Sequence, residues 1–348
     1  MKHAWRMLGV FLAVTAFIWV SNAAAADKSP IKGNIRIVIG SKSTGGDTYQ
    51  NSSIVAQALA EKLGTNVKVD AVGASAAFKA LEKVSSGNTL MIFHDQSYLG
   101  YLYGRKGYED IFTEYTVGPT VAINPGNAYL APKSSPYNSI ADVIAACGKG
   151  EKIRVAIQPG GVSEIGFSAL KNAIKLTHPG KEGNLVAVNT GSQADKNQLL
   201  FDGQADVING SVQANEQYSR LPAEDQKAMK FLWLTARQET IAQANEQGMG
   251  ETTRAMLLEF VSPNQSVTQD GKIDFTFDKE FFFLYNKDMS QEAVDYLDKA
   301  LTEIYAEGKI QETQKKSFFI PNFKPSTEAQ AYLMSKKDQY RVIIDAIK

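Results

Sequence analysis

Ile35-Arg36-Ile37-Val38-Ile39-Gly40-Ser41-Lys42-Ser43-Thr44-Gly45-Gly46-Asp47 decides the fold. The first five residues alternate and are mostly β-branched, which predicts a strand. A polar, glycine-bearing turn follows. Ile54, Val55, Ala58, Leu59 and Leu63 then share one helical face up to a stop at Gly64. Working outward, residues 67–72 read as a second strand ending in Gly73-Ala74-Ser75. Ala77, Ala80, Leu81 and Val84 mark a second helix, and residues 89–93 a third strand ahead of His94-Asp95-Gln96. This βαβαβ order predicts parallel strands with right-handed crossovers.

The same grammar restarts further on. A helix over 139–147 precedes a strand at 153–157 and the turn Gln158-Pro159-Gly160-Gly161-Val162-Ser163. A helix with Ile165, Ala169, Leu170 and Ile174 inward follows. Then come a strand at 185–188, the turn Asn189-Thr190-Gly191-Ser192, a helix through Phe201, and a strand at 205–208 leading to Asn209-Gly210-Ser211. Two α/β lobes of like pattern are expected. Phe275, Phe277, Phe281, Phe282 and Phe283 read as a buried strand rather than a stacking platform. Amphipathic helices are expected over 290–307 and 327–347. The Gln-, Asn- and Gly-rich segment 239–274 is expected to include the return crossing between lobes.

Length and composition fit that outline. The chain has 348 residues, enough for two domains of about 150 residues each. Hydrophobic residues make up 44% and charged residues 21%, with 37 basic and 37 acidic side chains. That balance, with no basic run, argues against nucleic acid as a partner. Cys147 is the single cysteine, so an internal disulfide and a cysteine zinc cluster are excluded. Lys2 and Arg6, the apolar stretch 8–20 and Ala24-Ala25-Ala26 read as a secretory signal peptide over residues 1–26. No cysteine follows to make a lipoprotein. The mature chain would carry 35 basic and 37 acidic residues, a net charge of −2, in the bacterial periplasm.

Familiar catalytic signatures are missing. Gly45-Gly46-Asp47 lacks the lysine of a phosphate loop, and Gly160-Gly161 with Gly166 does not match a dinucleotide fingerprint. Gly161-Val162-Ser163-Glu164-Ile165 lacks the last glycine of a nucleophile elbow, and Ser168-Ala169-Leu170-Lys171 stands without its β-lactamase companions. His94, at a strand end, reads equally as a pocket residue or a satisfied edge; His178, in a Pro/Gly turn, reads as surface. Neither has a second histidine at metal-ligand spacing, so no metal or cofactor is expected. What recurs is a small polar loop between strand and helix: residues 41–47, 73–75, 158–163 and 189–192. In an open α/β sheet such loops lie where ligands bind, and their amides can grip a carboxylate. Helix capping by Ser163 and Ser192 is the alternative reading of any one loop.

In that order, these motifs resemble the periplasmic solute receptors of tripartite tricarboxylate transporters (the Bug and TctC type). The resemblance rests on the Ile-rich strand 35–39 with Gly45-Gly46, the strand ending in Gly73-Ala74, Ser135-Pro136-Tyr137, Pro159-Gly160-Gly161, and Gly203-Gln204-Ala205-Asp206-Val207. It implies an α/β type II periplasmic-binding fold of two doubly wound lobes joined by a hinge, with a ligand cleft between them. Lobe 1 would comprise 27–130 and 236–348, and lobe 2 131–235. It implies a monomer without enzymatic activity that binds a small carboxylate and delivers it to a membrane permease. The expected ligand contacts are Ser41, Ser43, Thr44, Gly45, Gly46, Asp47, Tyr49, Ser75 and His94 in the first lobe. Those in the second are Gln158, Gly160, Gly161, Ser163, Thr190 and Asn209. The sequence departs from the family by placing Tyr49 where an aspartate is usual and Asp47 beside Gly46. Asp47 would repel a carboxylate unless it faces away, caps the helix or meets an ammonium group, so the ligand is either a plain organic acid or an amino acid. A receptor of a TRAP-type transporter of the TAXI group, suggested by Gly45-Gly46-Asp47-Thr48-Tyr49, a periplasmic sensor partner and a secreted α/β enzyme are the alternatives.

Overall fold

A computed structural model describes residues 29–348; the signal-peptide reading of residues 1–26 lies outside the described residues. The first half runs β1 (Ile35–Ile39), α1 (Asp47–Leu63), β2 (Val67–Ala71), α2 (Ala74–Glu82), β3 (Thr89–His94), α3 (Gln96–Leu102), α4 (Ile111–Glu114) and β4 (Tyr115–Asn124). After Pro125-Gly126 come β5 (Asn127–Pro132), α5 (Ile140–Lys149), β6 (Ile153–Ile157), α6 (Val162–Thr177), β7 (Leu185–Asn189), α7 (Gln193–Phe201), β8 (Val207–Ser211), α8 (Val212–Ser219) and β9 (Met229–Leu234). The chain continues through α9 (Gln238–Ala242) and α10 (Arg254–Leu258). It ends with β10 (Lys279–Asn286), α11 (Gln291–Glu307), α12 (Lys309–Lys316), β11 (Ile320–Lys324) and α13 (Ser326–Ala346).

Local chemistry sets the element ends. Asp47 in the first turn of α1 and Lys62 in the last complement the helix dipole, and Gly64 ends the helix in the left-handed region at φ 61°. Ser139 and Asp142 form a reciprocal capping box on α5.

Two sheets result. One has the order β11-β4-β10-β3-β1-β2, the other β7-β6-β8-β5-β9. In each, three parallel strands (β2-β1-β3 and β7-β6-β8) are flanked by an antiparallel strand that is the first to enter after a crossing, β10 or β5. The two halves are therefore the same motif built twice.

The structure adds β4 and β5, which the sequence pattern did not reveal. It also moves the seams. β5 pairs with β8 and β9 along its whole length, so the chain leaves the first sheet at Asn124, ahead of the expected 130/131 boundary. Residues 236–278 do not start the return. Ile241, Ala244, Met249, Leu257 and Val261 cluster with Ile208, Phe231 and Leu234 of the second sheet. The chain comes back beside its point of departure, where Phe277 N–H donates to Thr235 C=O at 2.6 Å. β10 is central and buried on both faces: Phe281 and Phe283 join one core, Phe282 and Leu284 the other. The second of these cores runs through both halves, from Met91 and Phe93 to Ile157, Leu170 and Trp233, under Leu333, Tyr340 and Ile343 of α13.

Candidate functional site

The site grows from the point where the chain crosses between sheets. Residues 41–46 form an exposed turn braced by its own hydroxyls. Ser41 Oγ accepts from Ser43 N–H at 3.0 Å and Ser43 Oγ from Gly45 N–H at 3.2 Å. Thr44, Gly45 and Gly46 complete the turn and deliver Asp47 to the start of α1. One Asp47 oxygen accepts from Thr48 N–H at 2.8 Å. The other accepts from Lys279 Nζ and from Asn124 Nδ2, both at 2.7 Å. Asn124 Oδ1 in turn accepts from Gly126 N–H at 2.8 Å and from Gln213 Nε2 of α8 at 3.3 Å. A continuous polar chain thus links the first turn of α1, the strand β10, the crossing and the second half.

Charge is strongly managed here. Burial pushes the Asp47 carboxyl up, but the Lys279 ammonium outweighs it, helped by His94 and by hydrogen bonds from Lys279 and Asn124. The carboxyl is held at about 2. His94 lies between Phe93 and Phe281, edge-on to both, and its Nδ1 accepts from Gln96 N–H at 3.2 Å. Burial and then Lys279 push its pKa well below the usual 6.5 against the pull of Asp47, so it is neutral at pH 7.

On the other sheet, Lys196 of α7 is only 5% exposed. Burial and then Lys279 pull its pKa down to about 7. On the same helix Gln193 Nε2 donates to Asn197 Oδ1 at 2.7 Å.

The remaining expected residues are placed as follows. In the turn 158–163, Gln158 N–H donates to Ser163 Oγ at 3.1 Å and Gly160 N–H to the Glu164 carboxylate. Arg105 reaches both Glu164 oxygens at 3.3 and 3.1 Å. Arg105 lies over Gly160 and Gln96 over Gly161. An internal carboxylate, Glu164, therefore takes the Gly160 amide that the sequence reading offered to a ligand. Thr190 N–H and hydroxyl are turned back to Ile157 C=O. Asn209 is buried at the crossing, donating to Asn127 Oδ1 at 2.8 Å. Tyr49 packs against the α1–α11 core, and Ser75 is exposed beside Gly107. Of the expected set, the structure brings Asp47 and His94 together at Lys279.

Sequence reasoning missed Lys196, Lys279, Asn124 and Gln213. Lys196 had a signal: a lysine in the first turn after the Ser192 cap opposes the helix dipole. Two surface grooves of about 310 and 630 Å³, lined by α1 and α11 residues, contain none of this group. Among the described residues, no group of three or more His, Cys, Asp or Glu could hold a metal ion.

No protein-family model and no curated protein sequence matches the chain. Solved structures do. The periplasmic binding protein BugD aligns at a TM-score of 0.63 with 17% identity, over 89% of this chain and 96% of that one. MatC from Rhodopseudomonas palustris with bound malate aligns at 0.62 with 14% identity, over 89% and 99%. A further R. palustris protein, with adipate, aligns at 0.68 with 15% identity, over 90% and 97%. A TctC solute-binding protein from Polaromonas aligns at 0.60 with 14% identity. The fold is that of the Bug- and TctC-type periplasmic solute-binding proteins, two α/β lobes in one chain.

Proposed function

We propose that the protein is an extracytoplasmic solute receptor. It takes a small carboxylate between its two lobes in the periplasm, as a monomer, and delivers it to a membrane permease of the tripartite tricarboxylate type. One observation carries the reading: the Lys279–Asp47–Asn124–Gln213 chain of polar contacts. It runs from the first turn of α1 into the second half at the crossing, where a two-lobed receptor hinges. Malate and adipate, carried by two proteins of this fold, support the solute class.

A screen of malate, adipate, citrate and benzoate by thermal shift and calorimetry tests it. A bound carboxylate at a hundredfold excess over its Kd adds about 2.7 kcal/mol to stability. The expected result is a clear rise in Tm, one-to-one stoichiometry and an unaltered ligand on recovery. Absence of binding to every carboxylate, or turnover of one, would overturn the assignment.

A further inference from the structure

We infer that Lys196 is the cation that reads the ligand, and that the ligand is an organic acid without an ammonium group, its carboxylate supplying the counter-charge this lysine lacks. This rests on the receptor reading above.

Buried lysines elsewhere in the molecule have acids. Lys336 meets Asp95 at 2.9 Å and Lys337 meets Asp110 at 3.0 Å. The half-hidden Lys279 meets Asp47 at 2.7 Å. Lys196 is as buried as these, yet among the described residues no carboxylate lies within ion-pair distance and its Nζ makes no hydrogen bond. The strands on which α7 packs, β5, β6 and β8, contain no acidic residue. Arg154 on β6 is paired with Asp206. On its own helix Asp195 precedes it, with its backbone N–H on the Ser192 cap. Lys279, itself paired with Asp47, adds to burial in disfavouring the charged form of Lys196.

An unpaired buried cation beside a like charge, in a helix first turn, is unfavourable on three counts. A carboxylate arriving between the lobes relieves the first two. Asp47, the acid of this junction, is not free to take an ammonium group. Both Asp47 oxygens are already engaged, by Thr48 on one side and by Lys279 and Asn124 on the other. The ammonium that Asp47 meets is the chain's own, so the amino-acid alternative loses its reason.

Calorimetry on the full mature chain tests this, with malate and adipate against aspartate and glutamate, at pH 6 and 9, for wild type, Lys196→Met and Lys196→Arg. Wild type is expected to bind at least one of the plain acids and to prefer it over the amino acids. Its affinity should fall from pH 6 to pH 9 as Lys196 loses its proton. Lys196→Met should weaken binding about 30-fold or more and abolish that pH slope, while Lys196→Arg keeps part of the affinity. Free of ligand, Lys196→Met should melt no lower than wild type, because an apolar side chain replaces an uncompensated charge. Binding by Lys196→Met within about threefold of wild type would overturn the inference and leave the receptor standing. So would a fall in the Tm of the ligand-free variant, which marks a structural lysine, or an equal affinity for the amino acids. Failure of wild type to bind any carboxylate would instead overturn the receptor reading.

Discussion

Replacing Asp47 by Asn keeps the shape of the side chain and removes one charge from the junction between the sheets. In the folded protein the carboxyl is held at about 2, against 3.8 for the free group. At about 1.36 kcal/mol per pH unit this difference corresponds to roughly 2 kcal/mol of stability, a figure kept low because the side chain is a quarter exposed. A depressed carboxylate pKa stabilises the fold fully above the unfolded value, and the contribution fades as pH falls from about 4 towards 2. The deficit of Asp47→Asn is therefore expected to be about 2 kcal/mol at pH 7, most of that at pH 4, and about half at pH 3. Urea unfolding followed by circular dichroism at these three pH values reads it directly. A deficit below about 0.5 kcal/mol at pH 7, or one that stays constant down to pH 3, would refute the claim that Lys279 and Asp47 form a stabilising pair.

Three further outcomes follow from the buried Glu280, Asp95 and Lys336 and from one close approach. Burial pushes Glu280 up to about 8, with Asp95 adding to the rise and Lys336 opposing it. The folded protein thus keeps a proton there that the unfolded chain releases above about 4.5, and stability falls as pH rises across that window. Glu280→Gln, a mimic of the protonated acid, should gain on wild type between pH 5 and pH 8 in urea midpoint; a constant difference would contradict a buried neutral acid. Lys336→Met strands Asp95, which is completely buried, and should cost roughly 3–5 kcal/mol in the same assay. Gly40→Ala would set a Cβ 2.1 Å from the Phe93 ring and should lower stability by about 1–3 kcal/mol, visible as a drop in Tm.

Much of the fold was legible because its signals are local. The alternation of residues 35–39, the glycine stop at Gly64 and the helical faces of α1, α6 and α11 each lie within one element. β4 and β5 escaped because nearly all their residues are buried, so neither alternates, and Gly118-Pro119 interrupts the first. The segment 236–278 misled because its composition is polar. Its few apolar residues, such as Ile241 and Leu257, are irregularly spaced and still fill the second core. The site was legible only in half. Asp47, the first residue of α1, and His94, the last of β3, flank strand-to-helix turns, where pattern reading looks. Lys279 acquires its meaning from a contact 232 residues away, which no spacing reveals. The turn at Gly160-Gly161 had the right composition for an anion, but Glu164, one turn along the helix, accepts from its amide.

A crystal structure of the protein grown with adipate tests the central claim most directly. The account predicts the acid between the two sheets, with one carboxylate about 3 Å from Lys196 Nζ and the Asp47–Lys279 pair intact beside it. Adipate seated elsewhere, or a Lys196 that still faces no anion when the ligand is present, would contradict it.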